Sequence, residues 1–540
     1  MGSTFMGLET SKRGLTTQQS ALFTTGHNIS NANTIGYSRQ RVNMEATLGY
    51  PGTGLNAPKI AGHLGTGVQA QSVQRIRDQF IDRQYRQEST KLGYWETRAN
   101  AISQVEDIVT EPSEYGLNTA LDQFWNSLQD LSGSPENAAT RKVVVQRALH
   151  VADSFNYIHK QLSDIQANLG NEINVSTKAI NSILKQIATL NEQIQAVEPN
   201  GYMPNDLYDA RDKLVDELSQ YFPIEIDPVP PGGNALAIAE GSLTVSIKLK
   251  DGTTLELVNG KNHASLETVD TSGAILDGTK LSNGFNGINI TGLGVGKSIS
   301  YDQLDPSKGK LVSLIDSYGH GGTVGVFTDP SKGYYPNILA QLDKMAEAFA
   351  EAFNEIHKSG SDLDGKAGLN FFVDEISGAD TSVSASNITV NKDIIDNVSK
   401  IAASNAAPIT PPAEPEVGNG KNAILLANMK TLTLGSTTDI NKDGIAFKNH
   451  LDGATVQSFY QSIIGQLGVD GEQANTLTTN AGTILLTVEN NRASVSSVSL
   501  DEEMTNMITF QQAYNANARM ITVIDETLDK IINGMGRVGL

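Results

Sequence analysis

The sequence predicts a mainly α-helical protein with β-rich insertions, built as nested, elongated domains. Three observations predict it. Apolar residues recur every seven positions at both ends of the chain. A helical pattern runs through the middle, with no Gly or Pro from Asn171 to Glu198. Between Phe222 and residue 330 the pattern changes to alternation, and 17 of those 109 residues are Gly, against 50 in all 540.

At the start, Leu8, Leu15, Leu22 and Ile29 form a narrow stripe, closer to a coiled-coil seam than to the broad face of a globular helix. At the other end Leu500, Met507, Tyr514, Ile521, Leu528 and Met535 repeat in the same way. Ser499 or Asp501 can cap that final helix, and Asp501, Glu502 and Glu503 place negative charge at its positive end. Neither end helix has a globular partner beside it in sequence. These ten residues are the candidate assembly interface. The two ends, 1–45 with 500–540, are expected to pair as a coiled-coil-like tube segment, to be mobile in the monomer and to order on assembly. Residues 1–45 carry four basic and two acidic groups and residues 495–540 three basic and six acidic, so their charges attract.

The polar run from His27 to Tyr37 ends the first helix, because Asn and Gly favour turns. Residues 72–111 read as helical, with Val73, Ile76, Phe80, Ile102, Val105 and Val109 among the apolar positions. A short helix over 118–131 and a break at Gly133–Ser134–Pro135 follow. In 136–198, Ile173, Ile180, Ile187 and Ile194 recur every seven residues, as do Ile183, Leu190 and Val197. Unbroken, that helix is on the order of 90 Å long. Residues 206–221 add a shorter helix. The expected helical rod domain is 46–221 with 331–365 and 420–499. In the β-rich inserted domain, 222–330, Leu243, Val245, Ile247 and Leu249 alternate with polar residues, Lys250–Asp251–Gly252 turns, and Leu255 and Leu257 resume. Residues 338–357 are helical. Residues 366–419 read as an irregular insertion and Pro-rich linker.

Chemistry is sparse. There are no cysteines, which excludes disulfides, thiolate zinc sites and cysteine nucleophiles. The formal charge of −20 argues against nucleic acid as a partner. No apolar run is long enough to span a membrane, and the N-terminus has no signal-peptide apolar region. Thr291 to Ser298, TGLGVGKS, brushes against a phosphate loop but lacks the first Gly and reads as a Gly-rich turn. Asp439, Asn441, Asp443 and Gly444 match part of a calcium loop, but His450 stands where a bidentate Glu belongs. No metal-peptidase or serine-nucleophile motif is present. The expectation is no enzyme, no cofactor and no metal. His27 reads as a turn hydrogen-bonding residue.

Several of these residues carry a resemblance. Gly7, Leu8, Gln18, Ala21, Leu22, the run Asn28 to Thr34 and Gly36–Tyr37, with Ser499 to Glu503, Phe510 to Tyr514 and Ala516 to Arg519, resemble the axial proteins of the bacterial flagellum. Thr24 to His27 and Ser38 to Arg41 are similar to the hook-associated group in particular, although Ile35 stands where the family usually has Pro. The resemblance implies a structural role in a ring of identical subunits at the junction between flexible hook and rigid filament. It implies the flagellar hook protein on one side, a distal hook-associated junction protein on the other, and an export chaperone on the C-terminal helix. It also implies export by the flagellar type III apparatus to an extracellular site. Two alternatives stay open: another axial protein such as the hook subunit, or an enzyme carried in the insertion.

Overall fold

The structure is a computed structural model. It describes residues 5–52, 62, 64–109, 116–270, 285–293, 296–305, 308–321, 332–379, 383–409, 414–434 and 451–534. In chain order, α1 is Met6–Ser30, β1 Gln40–Ala46, β2 Val68–Arg75, α2 Gln79–Val109, α3 Leu117–Gly133, α4 Ala138–Val197 and α5 Asn205–Leu218. Strands β3 (Ile224–Val229), β4 (Ser242–Lys248), β5 (Thr254–Asn259), β6 (Asn262–His263), β7 (Ser265–Asp270), β8 (Phe285–Thr291) and β9 (Lys297–Ser300) follow. Then come α6 (Lys310–Tyr318), α7 (Tyr334–Ser359), β10 (Phe372–Asp374), β11 (Ile388–Val390), α8 (Lys392–Asp396), α9 (Lys421–Asn428), α10 (Val456–Ser496) and α11 (Leu500–Gly534).

Helix α4 is the spine. Its 60 residues start behind Asn137, whose side chain accepts the Ala139 N–H, and end at Glu198–Pro199. The isoleucines spaced by seven, Ile173, Ile180, Ile187 and Ile194, are fully buried. Each contributes roughly 1.5–3 kcal/mol by leaving water. Of the second set only Ile183 is buried; Leu190 and Val197 lie at the edge. One half of α4 packs on α3, α6 and α7, the other on the sheets. Asn181 and Asn191 of α4 tie those sheets down by bonding the backbones of Leu266, Leu243 and Gly260.

The sheets are small and antiparallel, in orders β3-β4-β5-β6 and β7-β8-β9. The hairpin over 243–257 forms as β4 and β5, and Val245, Ile247 and Leu257 face the core. After Ser300 the chain turns helical in α6, packed on α2 and α4. Of the Gly-rich TGLGVGKS segment, Thr291 ends β8 and Lys297–Ser298 begin β9, two paired strands. The incomplete calcium loop at 439–450 lies outside the described residues.

Two stretches differ from their sequence reading. The helix expected from residue 72 begins at Gln79, and Val73 sits in β2, paired with β1. Polar residues on both faces of this hairpin hide its alternation. Residues 371–379 and 383–403, read as irregular, are packed: Phe371, Phe372, Ile388, Val390, Ile394 and Ile401 are buried. Phe371 and Phe372 join Phe124, Phe349 and Phe353 in an aromatic cluster. Buried polar side chains, not periodic pattern, hold this segment. Asn354 accepts the N–H groups of Phe371 and Phe372. His357 bonds the Leu369 carbonyl and accepts the Ala402 N–H. Arg141 donates to the carbonyls of Pro135 and Ile401.

The two ends meet. Helices α1 and α11 run antiparallel, as do α2 and α10. The sequence leaves each end without a partner; the structure pairs the ends with each other. The contiguous apolar core, among the described residues, runs from Tyr94 to Ala474 and includes no residue of the terminal pair.

Candidate assembly site

The α1–α11 seam is built from small residues on α1 and larger ones on α11. Gly7 faces Ile524 and Gly14 faces Asn517. A Cβ on Gly14 would meet the Asn517 side-chain oxygen at 2.8 Å, so any larger residue there must displace Asn517. Ser11, Gly14, Thr17, Ala21, Thr24, Thr25 and Asn28 are the buried positions of α1. The α1 stripe Leu8, Leu15, Leu22 and Ile29 flanks them, half-buried. On α11 the stripe Met507, Tyr514, Ile521 and Leu528 is half-buried. Leu500 is exposed, and Met535 lies outside the described residues.

Apolar side chains also remain outside the seam. Phe23 is 72% exposed and Ile532 70%; Met504, Ile508, Met520 and Val523 are each more than half exposed. Within one subunit these side chains are left to water.

A polar knot joins the pair to the body. The buried Asn28 side chain donates to the Gln40 carbonyl at 2.8 Å and to the Glu503 carboxylate at 3.1 Å. Its oxygen accepts the Gln40 N–H and the Tyr37 hydroxyl. His27 lies in the last turn of α1, not in the loop the sequence suggested, and its ring nitrogen sits 3.0 Å from that hydroxyl. Burial, then Asp206, Asp209 and Glu503, push the Tyr37 hydroxyl far above its ordinary value, so it stays a donor. Arg39 donates to both oxygens of Glu502 and, at 2.7 Å, to Glu503. The two end motifs, 475 positions apart, thus bond directly.

Behind the knot lies an ionic collar. Asp212 of α5 is surrounded by Arg75, Arg77, Arg86 and Arg211. Arg75 reaches Asp209 at 2.9 Å and Asp212 at 2.6 Å, and Arg492 bridges Asp82 and Asp216. The Tyr208 ring lies about 5 Å from the Arg75 and Arg211 guanidinium carbons. Burial would raise the Asp212 carboxyl, but the arginines outweigh it and hold it well below the carboxylate range. Burial dominates at Asp209 and raises it. Sequence reasoning missed this collar, since its ten named members lie on three separate stretches, 75–86, 208–216 and Arg492. The only trace was the density of Arg and Asp in 75–86 and 209–216.

Similarity to known proteins decides what the pair belongs to. Residues 102–372 match the model described as flagellar hook-associated protein FlgK helical domain. Residues 8–37 match flagella basal body rod protein, and 490–534 the flagellar basal body rod FlgEFG protein C-terminal family. The flagellar hook-associated protein 1 of Bacillus subtilis (strain 168) is 44% identical over 99% of both chains. The chain belongs to the flagellar hook-associated protein 1 family. The protein of that name from Escherichia coli (strain K12) is 28% identical, over 96% of this chain and 98% of its own. The solved structure of the flagellar hook junction protein FlgK from Burkholderia pseudomallei shares the fold, with a TM-score of 0.56 at 16% identity, covering 77% of this chain and all of that one.

Family membership makes the chain a structural, non-enzymatic component of the extracellular flagellar axial structure. Its partners lie within that structure. Among the described residues no group of three or more His, Asp or Glu could hold a metal. No described helix is long and apolar enough to cross a membrane. The cleft between α2, α6 and α10, lined by Tyr94, Trp95, Tyr301 and Asp470, contains the Arg98–Asp316 ion pair rather than a free reactive group.

Proposed function

We propose that this chain, a hook–filament junction protein of the flagellum, builds its ring through the paired ends, 1–45 with 500–540. The observation that carries the reading is the unsatisfied apolar surface on that pair: Phe23, Met504, Ile508, Met520, Val523 and Ile532. The heptad residues Leu8, Leu15, Leu22, Ile29, Leu500, Met507, Tyr514, Ile521, Leu528 and Met535 serve as the packing stripe, shared between the helices of one subunit and those of its neighbours.

The remaining segments stand outside the tube: the helical rod domain (46–221 with 331–365 and 420–499), the β-rich 222–330 and the segment 366–419. The hook protein lies on one side of the ring and the distal hook-associated junction protein on the other. A flagellar export chaperone takes the C-terminal helix before export through the type III apparatus, covering apolar surface that would otherwise associate early.

Complementation tests the reading. A strain lacking the gene should form hooks without filaments and shed flagellin. The full chain should restore filaments, and a chain ending at Ser499 should be soluble yet fail to restore them. Full restoration by the truncated chain would refute the assignment.

A further inference from the structure

Helices α10 and α11 are separated by three residues, Ser497, Val498 and Ser499. Ser497 is extended, with φ −76° and ψ 159°. No Gly or Pro makes this break, so the backbone alone does not dictate its angle. One residue bridges it from outside. The Arg39 N–H donates to the carbonyl of Ser496, the last residue of α10, at 2.9 Å. The Arg39 guanidinium grips Glu502 and Glu503, in the first turn of α11. Asn28 holds the other oxygen of Glu503.

We propose that Arg39 is the staple of a hinge between α10 and α11, and that this staple fixes the angle at which the terminal pair leaves the body. A planar fork bonded to two carboxylates sets direction as well as distance. The hinge lies beyond the apolar core, which ends at Ala474, so it can turn without exposing that core. Glu502 is 55% exposed and Arg39 18%, so added salt screens this contact. The collar behind it is more deeply buried and is screened less. Added salt therefore weakens the Glu502 arm of the staple, while the Glu503 arm, whose carboxylate is 3% exposed, is screened little. This device concerns the isolated subunit, so its failure would leave the assembly reading standing.

The absence of native cysteines allows a clean test. Spin labels at Asn480→Cys on α10 and Gln512→Cys on α11, both exposed positions, report the angle as a distance distribution. The wild-type monomer should give one narrow distribution at low salt. Arg39→Gln should broaden it to distances outside the wild-type range, with Arg39→Lys in between, while the thermal midpoint of the body stays unchanged. High salt, which screens only the Glu502 arm, should broaden the wild type less than Arg39→Gln does. Arg41→Gln, an equal charge change on an exposed residue of the same strand, should leave it narrow. An unchanged distribution in Arg39→Gln would overturn the proposal. So would a distribution already broad in the wild type at low salt, or equal broadening by Arg41→Gln.

Discussion

Single residues set the tolerances of this molecule. His357 is completely buried, and burial pushes its imidazole down to about 4, with Arg141 adding to the effect against the Leu369 carbonyl. In the unfolded chain it titrates near the ordinary histidine value of about 6.5. Between those values the unfolded state binds more protons, so stability is full above about pH 6.5 and is lost as pH falls toward 4. The loss from this group between pH 7 and pH 5 is roughly 2 kcal/mol. Denaturant titrations at the two pH values should show it in the wild type, and His357→Gln should remove that part of the pH dependence. Asp212 behaves differently. Asp212→Asn leaves Arg75, Arg77, Arg86 and Arg211 without their central carboxylate. Loss of one partner from such a buried network costs about 3–5 kcal/mol. The thermal midpoint should fall clearly, whereas Glu502→Gln, at an exposed position, should leave the body's midpoint in place. At the seam, Gly14→Val forces a side chain into Asn517 and costs roughly 1–3 kcal/mol of pairing. Amide exchange in 500–534 should quicken while exchange in α4 is unaffected.

At the scale of elements, what could be read depended on what holds each element. Helix α4, with buried isoleucines at fixed spacing, was legible from periodicity alone, and so was the β4–β5 hairpin with its Asp–Gly turn. The β1–β2 hairpin was not. Gln40, Arg41, Asn43, Gln69, Gln71, Ser72 and Gln74 fill it, and its order comes from α1 and the collar rather than from an apolar face. Segments 371–379 and 383–403 were illegible for a related reason: Asn354, His357 and Arg141, distant in sequence, satisfy their backbone. The candidate site was half legible. The heptad on α11 was visible. The innermost residues of α1 are Gly, Ala, Ser, Thr and Asn, which a search for apolar stripes passes over because close approach needs small side chains, not large ones. The sheets carry their own consequence. They cover Ile180 and Ile187 of α4. Deletion of 222–300 should uncover that face, lower solubility and raise binding of an apolar dye; unchanged dye binding would show the sheets to be a detachable appendage.

Across the whole molecule, three kinds of packing follow one another: an apolar body, an ionic collar, and a terminal pair seamed by small residues with apolar groups left outside. The body is stable by burial and needs no neighbour. The terminal pair buries little of its own surface, and in the proposed ring other copies would cover the rest; the collar carries the connection to the body. In the proposed ring the terminal pair, with the α11 stripe half-buried beside α1 and apolar groups exposed outside it, is an assembly surface and not part of the apolar body. The most direct measurement of this is the double substitution Ile521→Asp with Leu528→Asp, expressed in a strain lacking the gene, beside a control with Asp at Thr522 and Lys530, both exposed positions off the stripe. Each buried unpaired charge costs several kcal/mol, more than a narrow helix contact returns. The stripe variant should be soluble, with the thermal midpoint of the body unchanged, yet leave hooks bare and flagellin in the medium, while the control carries normal filaments. Normal filaments on the stripe variant, or a body that unfolds with it, would contradict the account.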